Sequence, residues 1–315
     1  MQKRKLGRTE IEVNPLGLGC MRISPPFNWL DGGIIDFNAP DEAESIKLLH
    51  KAVDSGIDLF DTAIAYGAGQ NEETLGKAFS RMRDKVVIVT KFGHRIDETT
   101  RTLMLTKKSQ SPARYRKSNT FPAMIKWQCE QSLRRLKTDY LDVYLCHVNI
   151  ADNGEEMRES LEDLVKEGKI RSYGWSTDIA GNAEIMSKGK HCDVIELALN
   201  VMKPENEALE VCEKNSLAAL IRSPLGGGIL GKETDSLKDA DKIKQMNAIK
   251  EILRSEGRTV VQGALAWLWA KSDKTIPIPG FRSMEQLDGL LGALEYGPLS
   301  SNQMGEIEKI QKKSE

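Results

Sequence analysis

Histidine and cysteine are scarce in this 315-residue chain, and neither sign of charge prevails. The four histidines (His50, His94, His147 and His191) form no H-x-H pair, and the five cysteines form no C-x-x-C. The ligand clusters that zinc ribbons and metal-dependent barrel hydrolases require are therefore missing, and a site without metal is expected. Nor does an odd number of cysteines at irregular spacing (Cys20, Cys129, Cys146, Cys192, Cys212) make a disulfide framework. Lys and Arg total 45 against 46 Asp and Glu, a net charge of −1. Without a surplus of cations to face phosphates, no nucleic-acid partner is expected. The basic start, Met1-Gln2-Lys3-Arg4-Lys5, runs into Leu6-Gly7-Arg8-Thr9-Glu10 instead of an apolar stretch. No run approaches the ~20 apolar residues of a membrane helix. The expectation is a protein with no signal peptide and no membrane partner, working in a reducing cytoplasm. A hydrophobic content of 40% with 29% charged residues excludes large-scale disorder.

What the chain does have is alternation. Asp41 reads as an N-cap with Glu44 three residues on, followed by an apolar stripe of Ile46, Leu49 and Val53 and a stop at Gly56. A strand-like run, Ile57-Asp58-Leu59-Phe60-Asp61, comes next, then a helix over 72–80 and the β-branched run Val86-Val87-Ile88-Val89-Thr90-Lys91. Strand candidates lie at 15–19, 57–61, 86–91, 141–147, 170–176, 194–197, 218–221 and 275–279, most followed by a helical pattern. Eight βα units in one chain predict an α/β fold of the (β/α)8 TIM-barrel type, with its active site at the C-terminal face of the strands. A doubly wound sheet is the alternative. The short spacers offer no domain boundary, so residues 1–315 read as a single domain. Residues 92–120 are too long for an ordinary βα loop and are rich in Arg and Lys, which suits either a solvated surface loop or a segment closing over substrate.

Three of these strands end in an ionisable residue, Asp61, Lys91 and His147, and Tyr66 stands in the turn five residues past Asp61. Each alone has a structural explanation; their placement on successive strand ends points to a site, because buried charges need partners. A tyrosine hydroxyl near pH 10 is a weak proton donor to a developing alkoxide. An ammonium from Lys91, kept charged by Asp61, lowers that value, and His147 holds the same oxygen by a hydrogen bond. Carbonyl reduction by such a set requires a hydride source that side chains lack, which implies a nicotinamide cofactor.

These residues also carry a resemblance. Gly56-Ile57-Asp58-Leu59-Phe60-Asp61-Thr62-Ala63-x-x-Tyr66-Gly67 resembles the aldo-keto reductase signature, and Val89-Thr90-Lys91 is similar to that family's lysine strand. The run from Leu133-Arg134-Arg135-Leu136 to Leu145-Cys146-His147 is similar to its histidine strand and the helix before it. The likeness extends from Leu6-Gly7-Arg8-Thr9 to Pro279-Gly280-Phe281-Arg282-Ser283. It implies a (β/α)8 barrel, NAD(P)H-dependent reduction of aldehydes or ketones, and a catalytic tetrad of Asp61, Tyr66, Lys91 and His147.

On the cofactor side the resemblance implies contacts, some with altered residue types. Where the family meets the nicotinamide carboxamide with a Ser-Asn pair and a Gln, this chain has Ser176-Thr177 and Glu196, with Asn200 a further contact. The tyrosine that stacks on the nicotinamide ring is replaced by Arg222, ahead of Ser223-Pro224-Leu225. Gly226-Gly227-Gly228 reads as a loop beside the pyrophosphate, with Gly227 in contact, and Pro279 and Gly280 join it from the last strand. Arg282 and Ser283 match residues that meet a 2′-phosphate, Gln286 fits beside them, and the Glu-Asn pair expected shortly after is Gly289-Leu290. Arg282 favours NADPH over NADH. Gly226 to Lys232 also spells G-x-x-x-x-G-K, but Glu233 replaces the Ser or Thr of a nucleoside-triphosphate loop. The pair Trp267 and Trp269 reads as helix packing before the last strand. A nucleotide-binding regulatory or sensor subunit, like the potassium-channel-associated relatives of this fold, is the alternative function. The tetrad residues, and the lack of an added N-terminal segment, favour the enzyme.

Overall fold

The computed structural model describes residues 1–105, 121–148, 154–231 and 240–312. Eight strands make one parallel sheet: β1 (Leu18–Gly19), β2 (Leu59–Asp61), β3 (Val87–Phe92), β4 (Leu141–Cys146), β5 (Ile170–Ser176), β6 (Cys192–Ala198), β7 (Ala218–Arg222) and β8 (Thr275–Pro277). They lie side by side in chain order, each pairing with the next. The Gly17 and Gly19 N–H groups donate to the Pro277 and Pro279 carbonyls, both at 3.0 Å, and join β1 to β8. The expected (β/α)8 barrel is therefore the observed fold, and the doubly wound alternative is not.

Two apolar layers follow from the alternation along each strand. Leu59, Val87, Val89, Val143, Leu145, Val194, Ala218, Leu220, Ile276 and Ile278 fill the barrel, with Leu6 and Val13 closing its N-terminal end from a small hairpin. Their neighbours in sequence, such as Phe60, Ile88, Tyr144, Trp175, Ile195 and Ile221, face outward into a larger core shared with the helices. Gly174 shows how tight the barrel wall is: a Cβ there would stand 1.6 Å from the Val194 carbonyl oxygen.

The first helix, α1 (Glu42–Asp54), begins as expected, with the Asp41 side chain accepting from Glu44 N at 2.8 Å. It ends at Ser55 before Gly56, whose φ of +88° is left-handed. Two further helices bear on the site, α2 (Gln70–Phe79) and α3 (Phe121–Leu136). Trp267 and Trp269 are buried in the helix Val260–Lys271, where Trp269 Nε1 donates to Pro15 O at 2.8 Å, so both are packing residues. The described part of 92–120 is not simply loop. Ile96–Asp97 and Thr102–Leu103 join Phe27–Trp29 and Ile34–Ile35 in a four-stranded accessory sheet. The pairing that joins the two short hairpins, Asn28 with Thr102 and Trp29 with Leu103, spans about seventy residues of sequence, which is why a local pattern did not reveal the sheet. Lys107, Lys108, Arg114, Arg116 and Lys117 of that basic segment, and Lys232, lie outside the described residues.

Candidate active site

Strand parity decides which polar groups enter the barrel. Asp61 follows the inward Leu59 by two residues, Lys91 follows Val89, His147 follows Leu145, Glu196 follows Val194 and Arg222 follows Leu220. Each therefore points to the axis from the C-terminal end of its strand, above the apolar fill. Ser176 takes the same place on β5, beyond Gly174.

Lys91 is the hub. Its ammonium is in direct contact with Asp61 Oδ1 and 3.1 Å from Glu196 Oε2, with all three side chains almost fully buried. It also donates to the Thr62 carbonyl at 3.1 Å and stands 3.5 Å from the Tyr66 hydroxyl. Ser176 Oγ donates to Glu196 Oε1 at 3.0 Å. His147 meets Tyr66 edge-on, ring centroids 5.9 Å apart, and its own backbone N–H donates to Phe92 O at 2.8 Å, which fixes the residue beside β3. The structure thus brings Asp61, Tyr66, Lys91 and His147 into one cluster.

The electrostatics differ from expectation at one point. Burial raises the Tyr66 phenol above its ordinary range; Lys91 pulls it down, but the charges of Asp61 and Glu196 push it up again. The lysine was expected to lower it, and desolvation with two carboxyls nearby prevails instead. For Lys91 itself burial alone favours the neutral amine, yet Asp61 and Glu196 outweigh it and hold the ammonium charged. His147 falls well below the usual imidazole value, first through burial and then through His94, Lys91 and Arg222, so its ring is neutral.

The residues expected around a cofactor divide into two groups by what they touch. Arg222 extends from the end of β7 to Asp178 in a half-exposed ion pair. Asn200 donates to Ser223 O at 3.3 Å and accepts from Met202 N, tying the turn after β6 to the turn after β7. The Thr177 hydroxyl accepts from Ile179 N and Asn182 Nδ2, turned to the following helix. Ser223, with Gly226, Gly227 and Gly228, follows β7 with positive φ throughout, and Pro224 and Leu225 lie between them. Cβ atoms at Gly227 and Gly228 would meet nothing within 4 Å, so backbone conformation, not space, calls for glycine there. At the other end of the mouth Gly280 bridges to Gly19, beside Pro279. Ser283 caps the eight-residue helix Met284–Leu291 through Gln286 N, the Gln286 side chain accepts from Arg282 N at 3.0 Å, and Arg282 donates to Phe37 O at 2.9 Å. An exposed guanidinium at a helix N-terminus suits a phosphate, and the turning glycine backbone suits a diphosphate.

Sequence reasoning did not foresee three features. Glu196 sits on Lys91, although its inward parity with Val194 was legible. His94 packs edge-on to His147, centroids 4.9 Å apart. The accessory sheet brings Phe27, Trp29, Ile35, Leu103 and Leu105 into one apolar cluster with Ala65 and Tyr66. Among the described residues no group of three or more His, Cys, Asp or Glu stands where a metal ion could be held. No helix among them is long and apolar enough to cross a membrane.

Residues 15–312 match the pattern described as "Aldo/keto reductase family". A Glycine max protein named "Probable aldo-keto reductase 1" is 31% identical, the match covering 98% of this chain and 88% of that protein. Among solved structures, the holo form of an aldo-keto reductase from Bacillus halodurans is 25% identical with a TM-score of 0.78, covering 98% of this chain and 96% of the other. An aldo/keto reductase from Klebsiella pneumoniae, solved in complex with NADP and acetate, is 26% identical with a TM-score of 0.72, covering 98% and 94%.

Proposed function

The chain belongs to the aldo/keto reductase family, and on that premise we propose that it is an oxidoreductase reducing aldehydes or ketones to alcohols with NADPH. The single observation that carries the reading is the buried Lys91 ammonium, bound to Asp61 and 3.5 Å from the hydroxyl of Tyr66. Tyr66 holds the proton and gives it to the carbonyl oxygen as that oxygen becomes an alkoxide. Lys91 stabilises the phenolate left behind, and Asp61 keeps Lys91 charged and in place. The neutral ring of His147, edge-on to Tyr66, orients the same carbonyl oxygen through a hydrogen bond. Phe27, Trp29 and Leu103, clustered with Tyr66, exclude water and favour substrates with an apolar substituent.

NADPH bound at the mouth supplies the hydride. Arg282, Ser283 and Gln286 would hold its 2′-phosphate end, and Ser223, Pro224, Leu225 and Gly227 its diphosphate. Ser176, Thr177, Glu196, Asn200 and Arg222 would border the nicotinamide end, with Pro279 and Gly280 along the wall. The NADP in the Klebsiella pneumoniae relative supports this, and Arg282 supports NADPH over NADH. All five cysteines are buried free thiols, in keeping with work in the cytoplasm.

The test is fluorescence titration with NADPH and NADH, followed by a panel of aldehydes and ketones read as loss of NADPH absorbance. Tight NADPH binding with turnover is the expected result. Binding without turnover on any carbonyl would favour a nucleotide sensor, and no binding would remove the reading altogether.

A further inference from the structure

Lys91 meets two carboxyl groups where one balances its charge. Asp61 touches its ammonium from β2, Glu196 Oε2 lies 3.1 Å away on β6, and the three side chains are no more than 4% exposed. Glu196 Oε1 is fixed in this position by the Ser176 hydroxyl at 3.0 Å. Among the described residues, the other titratable or charged groups facing the cluster are Tyr66 and Cys20 from the turns after β2 and β1, His147 after β4, and Arg222 on β7. Arg222 is bound to Asp178, and His147 is neutral, so neither cancels the second carboxylate. If both acids were ionised, this water-poor site would carry a net negative charge; one retained proton restores neutrality.

We propose that Asp61 and Glu196 hold a single proton between them over the Lys91 ammonium at neutral pH, which makes Glu196 a positioning residue that keeps the field at Tyr66 neutral while the phenol gives up its proton. Asp61 agrees with this: burial first and the Glu196 charge second raise it well above the carboxylate range, against the pull of Lys91. This inference rests on the reductase reading of the site. When the shared proton is lost at higher pH, the added negative charge opposes the phenolate that forms on Tyr66, and reduction slows. That acidic group is absent in Glu196→Gln, so the slowing is deferred until the phenol itself ionises.

Two measurements test it. Infrared spectra at pH 7 should show the carbonyl stretch of a protonated carboxyl in the wild type, lost in Glu196→Gln and in Asp61→Asn, and retained in Glu196→Asp. Rate–pH profiles for carbonyl reduction should show the alkaline limb of kcat moving up by about one pH unit or more in Glu196→Gln. No protonated carboxyl in the wild type, or an alkaline limb unchanged by the substitution, overturns the proposal. A carboxyl band that obeys the pattern in a protein that reduces no carbonyl supports the shared proton and removes the reductase reading instead.

Discussion

His94 stands edge-on to His147, with ring centroids 4.9 Å apart and an interplanar angle of 78°. His147 in turn meets Tyr66 at 5.9 Å and 86°, so three rings form a chain leading to the Tyr66 hydroxyl. The Nδ1 atoms of both histidines are buried without a hydrogen-bond partner. A neutral imidazole tolerates that far better than an imidazolium does, and burial pushes His94 down to about 4.

The linkage follows from that sign. The folded value of His94 lies below the ~6.5 of an unfolded histidine, so on acidification the unfolded chain takes up a proton first. Stability from this residue is present above pH ~6.5 and is lost as pH falls toward about 4. The loss amounts to roughly 3 kcal/mol at about 1.4 kcal/mol per pH unit. Urea melts between pH 7 and 4 should show a steeper decline for the wild type than for His94→Gln. Parallel declines would mean that His94 takes up its proton in the folded state.

Tyr66→Phe deletes one oxygen from a ring already held by the apolar cluster of Phe27, Ala65 and Leu103. The fold and the cofactor affinity should survive, while reduction falls by ~10²–10⁴-fold, the usual worth of a positioned proton donor. Stopped-flow turnover set beside NADPH binding separates the two effects. Undiminished turnover would place the proton donor elsewhere.

The positions of these groups were legible because a strand exposes every second residue to one side. Asp61, Lys91 and His147 share parity with Leu59, Val89 and Leu145, and all face the axis. Glu196 obeys the same rule on β6, yet its partner was not readable, since which strand ends converge depends on closure through Gly17 and Gly19. The accessory sheet escaped for a related reason: strands of two or three residues carry no period, and the pairing that joins its two hairpins comes from distant segments. The acidity of Tyr66 was misjudged because desolvation depends on burial, which residue type does not report.

Arg282 donates to the Phe37 carbonyl at 2.9 Å from the segment that carries the helix Met284–Leu291. A charge-assisted contact of this kind to a phosphate is worth roughly 1.5–3 kcal/mol. Arg282→Ala should therefore weaken NADPH by about 10–100-fold and leave NADH nearly unchanged, measured by fluorescence titration. Equal losses for both cofactors would mean that the 2′-phosphate is held by other residues.

Behind β3 lies a second buried ion pair, which supports the strand that carries Lys91. Arg135 on α3 donates to Glu72 on α2 at 2.6 Å, and Glu72 also accepts from Thr90, the neighbour of Lys91, at 2.6 Å. Through its other arm Arg135 reaches Glu98 at 2.6 Å, between the two accessory strands 96–97 and 102–103. Arg135→Met would leave the fully buried Glu72 charge without its cation, at a cost of about 3–5 kcal/mol. The adjacent Arg134 pairs with the same Glu98 from a half-exposed position, and Arg134→Ala should cost no more than about 1 kcal/mol. The double variant Glu72→Gln with Arg135→Met should recover much of the loss, because the orphaned charge goes with its partner. Urea denaturation of the four proteins decides between an ion pair that stabilises through its own attraction and one whose removal is costly only for what it leaves behind. Recovery in the double variant establishes the second case, and its absence the first.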